Sequence, residues 1–258
     1  MRIVFALAGV VIRELYRRKD VYVLLILTLL ITALLGSLNF FNDDHIVRYL
    51  EESCMLLIWV CSLVIAVTTT ARQIPAEREQ RTLFPLLAKP VTRGQVVLGK
   101  FVGCWLACWL VLVVFYLIFI GIGLSRDLSW SWVCALQALW LHGWLLAMVI
   151  ALVLLGSVVF SAPSANVTIS LLLSAGLLTM GRYLRQVAMG LTEPGQTLLS
   201  LAYFLLPHLE FFDLRARVIH HWDPVPWTIC GLATLYALAY TCVLLLGAWW
   251  VFRRQTLN

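Results

Sequence analysis

The stretch Leu128–Gly181 contains no Asp, Glu, Lys or Arg, and this feature constrains the fold more strongly than any other. Soluble domains average about 25% charged residues, because their surfaces must face water. This chain is 12% charged and 62% hydrophobic over 258 residues, so a soluble fold could not cover its surface with charge. We therefore predict an all-α membrane protein whose excess apolar surface faces lipid.

Uncharged stretches long enough to cross a bilayer recur along the chain. A helix needs about 20 apolar residues to span the hydrocarbon core. Leu128–Gly181 is too long for one span, and the turn cluster Ser161–Asn166 divides it in two. We predict a domain over residues 21–252 with six transmembrane helices, followed by a tail at 253–258. The predicted spans are Val21–Leu38, Ser53–Ala71, Phe101–Ser125, Trp132–Phe160, Val167–Gly181 and Pro224–Phe252.

Lys and Arg are unevenly distributed between the two sides that six spans create. One side carries thirteen of these residues and the other carries six. Cytoplasmic loops are enriched in Lys and Arg, so the richer side is predicted to be cytoplasmic. This places both termini and the 72–100 loop inside a plasma (inner) membrane. The net charge of +6 then fits loops that face anionic lipid, and we expect no nucleic-acid partner.

The first 20 residues form an element of their own. Arg2, Gly9, Arg13 and Arg17 fall on one helical stripe, and apolar residues lie away from it. This periodicity predicts an amphipathic helix in the inner membrane interface. The alternative is an ordinary positively charged tail.

Residues 182–226 form the outer segment, which is the longest loop predicted on the non-cytoplasmic side of the membrane. Its apolar part, Leu198–Leu206, is too short to span and is predicted to be re-entrant or interfacial, ending at Pro207. Its imidazole and carboxylate groups raise the alternative of a metal site or a membrane-embedded enzyme. Their spacing matches no recognised ligand pattern, and solvated interface residues are the simpler interpretation. These residues are His208, Glu210, Asp213, His220, His221 and Asp223.

Few residues within the spans could carry chemistry. The predicted spans contain no Asp, Glu, Lys or Arg, and His142 is the one histidine inside them. This counts against an ion-coupled transporter or pump. A lone histidine is most simply a hydrogen-bonded packing residue. The run Gly94–Phe101 resembles a phosphate-binding loop, but Phe101 stands where Ser or Thr should reach magnesium. We predict no catalytic, cofactor-binding or metal-binding residue on this chain.

The cytoplasmic loop 72–100 carries the most informative pattern. Pro75 suits the first turn of a helix, and the Glu77 carboxylate is favourable near the partly positive N-terminus of that helix. Leu83, Leu86 and Leu87 then form an apolar patch in a charged loop. Such a patch on a short helix indicates a docking site for another protein.

At these residues the chain resembles the permeases of the ABC-2 export type. The resemblance is to the branch associated with multi-copper enzyme maturation, which includes the permease serving nitrous-oxide reductase. It also covers the six-span layout, the amphipathic N-terminal helix and the long last outer loop, whereas Pro85 departs from the family pattern. The matching positions are Glu77, Arg81, Thr82, Leu83, Leu86, Leu87, Lys89, Pro90, Val91, Thr92, Arg93, Gly99 and Lys100.

The resemblance implies a transport subunit without catalysis of its own. Two permease chains would pair as a homodimer or a heterodimer in membrane lipid, and each would dock on a separate ATP-binding cassette ATPase that holds ATP and magnesium. The 72–100 loop would be the coupling helix, and the absence of the Glu-Ala-Ala loop of importers favours export. A membrane-embedded enzyme and a non-transporting scaffold remain alternatives. The docking residues implied are Glu77, Arg81, Thr82, Leu83, Leu86, Leu87 and Arg93.

Overall fold

The computed structural model describes residues 2–17, 44–79, 92–124, 131–220 and 222–255, with seven further helical positions between 22 and 34. Within these residues the chain is helical and has no strand. The predicted first span, Val21–Leu38, therefore lies largely outside the described residues. The loop segment 80–91 lies wholly outside them. The helices are α1 (Arg2–Arg17), α2 (Asp44–Ala71), α3 (Pro75–Glu79), α4 (Arg93–Leu124), α5 (Trp132–Val159), α6 (Pro163–Gly190), α7 (Gly195–Leu205), a 3-10 helix (Leu209–Phe212), α8 (Arg215–Ile219) and α9 (Trp227–Arg254).

Four of the described helices are long and apolar enough to cross a membrane. They lie within Glu51–Glu79, Arg93–Gly121, Trp132–Val159 and Trp227–Arg254. These helices overlap the predicted second, third, fourth and sixth spans, each of which extends at most three residues beyond its helix. A shorter apolar stretch, Pro163–Thr179, overlaps the predicted fifth span. The chain is thus a multi-pass membrane protein, and the total of six spans stays a prediction.

The break that divides the long uncharged stretch is shorter than the predicted turn cluster. Helix α5 ends at Val159, and the N–H of Phe160 donates to the Gly156 carbonyl at 2.8 Å. Helix α6 begins at Pro163, whose missing N–H is not needed in a first helical turn. The helix then continues to Gly190, beyond the predicted span end at Gly181.

A buried amide joins α2, α5 and α6 near this break. Asn166 Nδ2 donates to the carbonyls of Val153 at 3.2 Å and Ala71 at 3.5 Å, and Ser170 Oγ donates to Asn166 Oδ1 at 3.1 Å. A Cβ on Gly156 would overlap the Asn166 side chain. Gly156 therefore gives the amide the space it needs, and the hydrogen bonds offset the cost of burying it.

Helix α5 lies at the centre of the bundle, whereas α9 lies at its edge. In the most apolar part of α5, 72% of residues are buried, against 17% in α9. The exposed side chains of α9 are large and apolar, as expected for a surface that faces lipid or another apolar helix. Those most exposed are Trp227, Leu232, Leu235, Val243 and Leu246.

The N-terminal helix α1 packs against the first half of α4 at two glycines one helical turn apart. A Cβ on Gly99 would lie 2.7 Å from Leu7 Cβ, and a Cβ on Gly103 would lie 2.7 Å from Val11 Cβ. Small residues at this spacing allow helix backbones to approach closely. Phe5 remains 63% exposed on α1. The predicted interfacial position of this helix stays a prediction.

Candidate coupling site

The structure describes only part of the predicted docking set. Glu77 lies in α3 and Arg93 begins α4, and both are described with their contacts. Thr92, Gly99 and Lys100 of the family-like pattern are also described. The docking residues that lie outside the described residues are Arg81, Thr82, Leu83, Leu86 and Leu87. Their role stays a prediction.

The short helix α3 begins directly after a turn that follows α2. Pro75 is buried at the first helical position, and Glu77 lies in the first turn, where the helix end is partly positive. Ile74 is fully buried beside it. A five-residue helix is not stable alone, so tertiary contacts must hold α3 in place.

The first of these contacts is a partly buried ion pair with α4. Lys100 Nζ lies 2.8 Å from Glu77 Oε1, and the Lys100 side chain is only 4% exposed. The same ammonium donates to the Gln73 carbonyl at 2.9 Å and to Gln73 Oε1 at 3.2 Å. Burial of a charge is costly unless it is paired and hydrogen-bonded, and Lys100 meets both conditions.

A second contact joins α3 to the C-terminal ends of α5 and α9. Arg78 Nη2 donates to Gln255 Oε1 and, at 3.4 Å, to the Val158 carbonyl. Gln255 Nε2 also donates to the Val158 carbonyl, at 2.9 Å. Terminal helix carbonyls have no partner within their own helix, so these side chains provide one.

Arg93 caps the last helix rather than extending away from the bundle. Its Nη1 donates to the carbonyls of Phe252 at 2.7 Å, Arg253 at 2.9 Å and Gln255 at 3.0 Å. The guanidinium also lies over the Phe252 ring, 5.6 Å from its centroid. A cation is favoured at this negative end of a helix, so Arg93 fixes the start of α4 to the end of α9.

The described groups of the outer segment contact different partners instead of converging. Arg215 binds the Asp213 carboxylate through two nitrogens, at 2.9 and 2.8 Å, and these hydrogen bonds raise the pKa of Arg215. His208 is buried against Tyr203 and Phe211, and this burial lowers the pKa of His208. Among the described residues, no group of three His, Cys, Asp or Glu side chains could hold a metal ion.

His142 forms a buried polar cluster inside the bundle. Its Nε2 lies 2.9 Å from Ser62 Oγ, and its Nδ1 lies 3.4 Å from the Tyr116 hydroxyl. Its ring stacks on Trp59, with 4.5 Å between the centroids. His142 thus links α2, α4 and α5 by hydrogen bonds, which is the packing role that a lone histidine in a span predicts.

Comparison with known families agrees with this architecture. Residues 12–257 match the family model described as ABC-2 family transporter protein. The chain belongs to this family. None of the curated proteins compared with the chain matches it. The match covers the described apolar helices and the loop between α3 and α4.

Membership of the ABC-2 family identifies the chain as the membrane subunit of an ATP-binding cassette transporter. Such a subunit is typically not catalytic itself and works with an ATP-binding cassette partner. The matching model describes the ABC-2 family as a whole. It gives no support to the narrower multi-copper enzyme maturation branch that the loop pattern predicts.

Proposed function

We propose that this ABC-2 permease exports its substrate and receives energy from a separate ATPase docked on the loop between α3 and α4. The observation that carries the proposal is the set of contacts made by the described residues on either side of this loop. Its flanking residues, Glu77 and Arg93, contact the ends of long apolar helices, so motion of the loop can reach the bundle. The absence of a Glu-Ala-Ala importer loop supports export.

In this proposal the apolar patch Leu83, Leu86 and Leu87 fills a groove on the ATPase, with Arg81 and Thr82 beside it. ATP and magnesium bind the partner. Closure of two ATPase subunits on ATP displaces the loop, and the displaced loop moves the spans of two paired permease chains. The long exposed apolar face of α9 provides surface for lipid or for the second permease.

Co-purification tests the proposal. The full chain, purified with a tag from gently solubilised native membranes, should retain a protein that carries ATP-binding cassette motifs and hydrolyses ATP. The pair should show higher ATP turnover in lipid than the ATPase alone. Recovery of the chain in a folded state with no such ATPase, under several detergents, would contradict the proposal.

The orientation makes a separate prediction. We propose that both termini and the 72–100 loop lie in the cytoplasm of the plasma (inner) membrane, because one side carries thirteen Lys and Arg residues against six. In a cysteine-free background, single cysteines at Asp43 and Thr192 should react with an impermeant thiol reagent applied from outside. A cysteine at Gln80 should react only after permeabilisation. Reaction of the Gln80 position in intact cells would reverse the orientation.

A further inference from the structure

Helix α3 is held against three long helices, α4, α5 and α9, by side-chain contacts. We propose that Glu77, Lys100, Arg78 and Gln255 are positioning residues, which hold α3 against α4, α5 and α9 so that a displacement of α3 by the docked ATPase reaches all three helices. The inference rests on the proposed function. It assigns Glu77 to contacts inside the permease instead of to the ATPase surface.

The pair of Glu77 and Lys100 fixes α3 to α4. The Lys100 ammonium is almost fully buried and has three acceptors, one from Glu77 and two from Gln73. A buried ammonium cannot replace these acceptors with water, so a shift of α3 that leaves α4 behind is unfavourable. Displacement of α3 therefore displaces the start of α4.

Arg78 and Gln255 fix α3 to the opposite side of the bundle. Both side chains bind the Val158 carbonyl at the end of α5, and they also bind each other. Gln255 directly follows α9, so the ends of α5 and α9 meet α3 at one place. A displacement of α3 thus reaches two more helices that are long enough to cross a membrane.

Arg93 closes these contacts into a ring. It belongs to α4 and binds the carbonyls of Phe252 and Gln255 at the end of α9. The ring therefore runs from α3 to α4 through Lys100, from α4 to α9 through Arg93, and from α9 back to α3 through Gln255. Because the ring is closed, a displacement of α3 changes the contacts of both α4 and α9, and neither helix can follow α3 without the other.

The test separates transmission from docking. The variant is Glu77→Gln, and the control is Glu79→Gln, which removes the same charge from an exposed position of the same helix. Two quantities are measured on the full permease with its co-purified ATPase in lipid. One is the amount of ATPase bound per permease, and the other is the ratio of ATP turnover with and without the permease.

We expect Glu77→Gln to bind the ATPase as the native chain does and to reduce the permease-dependent turnover ratio about 2- to 30-fold. Glu79→Gln should match the native chain in both measurements. Glu77→Asp, which keeps the charge, should lower the turnover ratio less than Glu77→Gln does. The double variant Glu77→Gln with Lys100→Gln should lower the turnover ratio by less than the product of the two single effects, because both substitutions remove the same contact.

Gln255→Ala provides a second arm if Glu77→Gln does not fold, because Gln255 is only partly buried. It should also lower the ratio without loss of ATPase binding. Loss of ATPase binding in Glu77→Gln would show that this carboxylate docks, which overturns the inference and leaves the proposed function intact. A native turnover ratio in folded Glu77→Gln and Gln255→Ala would overturn it in the same way. Failure of the native chain to bind any ATPase would reject both.

Discussion

Replacement of Leu86 and Leu87 with alanine should release the ATPase from the permease. Both leucines belong to the apolar patch that we propose docks in a groove of the ATPase. Truncation of an anchor residue of this type costs about 1–4 kcal/mol of binding free energy. The double variant should therefore lower the amount of co-purified ATPase at least tenfold, because about 1.4 kcal/mol already corresponds to a factor of ten.

A matched control removes the same side chains from a different surface. Leu172 and Leu173 are also consecutive leucines, and they lie on α6 and are 69% and 50% exposed. Their replacement with alanine should leave ATPase binding unchanged. Equal ATPase binding by the loop variant and the native chain, at the same membrane expression, would remove the docking role of the loop.

Replacement of Gly143 with alanine should destabilise the folded bundle. A Cβ at this position would overlap the Trp109 indole, and the Gly143 carbonyl accepts a hydrogen bond from Trp105 Nε1 at 2.9 Å. The two tryptophans are packed against other aromatic rings of α5, so they cannot move aside freely. Overpacking of this kind costs about 1–3 kcal/mol of unfolding free energy.

The measurement is the thermal unfolding midpoint of the purified protein in one detergent. Gly176→Ala is the control, because a Cβ there would meet nothing within 4 Å. This control should keep the native midpoint or raise it, since alanine favours a helix over glycine by about 1 kcal/mol. An unchanged midpoint in Gly143→Ala would mean that the Trp109 ring has space to shift.

The apolar helices could be predicted from the sequence because the length of an uncharged stretch reflects the thickness of the hydrocarbon core. The same criterion placed the end of the predicted fifth span at Gly181. It stops at the first charged residue, whereas the hydrogen bonds of α6 continue through that residue to Gly190. Helix ends are therefore set by backbone and capping contacts that a hydropathy pattern does not contain.

The contacts at the coupling site could not be predicted in the same way. By sequence spacing alone, the nearest possible partner of Glu77 is Arg81, one helical turn away, and Arg81 lies outside the described residues. The structure instead pairs Glu77 with Lys100, which is distant in the chain and becomes a neighbour only when α3 folds against α4. Lys100 and Arg93 were visible in the sequence as parts of a family-like pattern, and their roles needed the packed helices.

The packing of α1 against Gly99 and Gly103 of α4 affects how the chain inserts into the membrane during synthesis. Helix α1 leaves the ribosome before α4, so its binding surface on α4 is completed only when the third predicted span has been made. At about 5–20 residues per second, the helix waits several seconds for its partner. During this time α1, an amphipathic helix with Phe5 and Val10 exposed, is expected to rest on the membrane surface. Insertion of this permease is thus expected to be complete only after α1 has packed against α4, a helix that is made later.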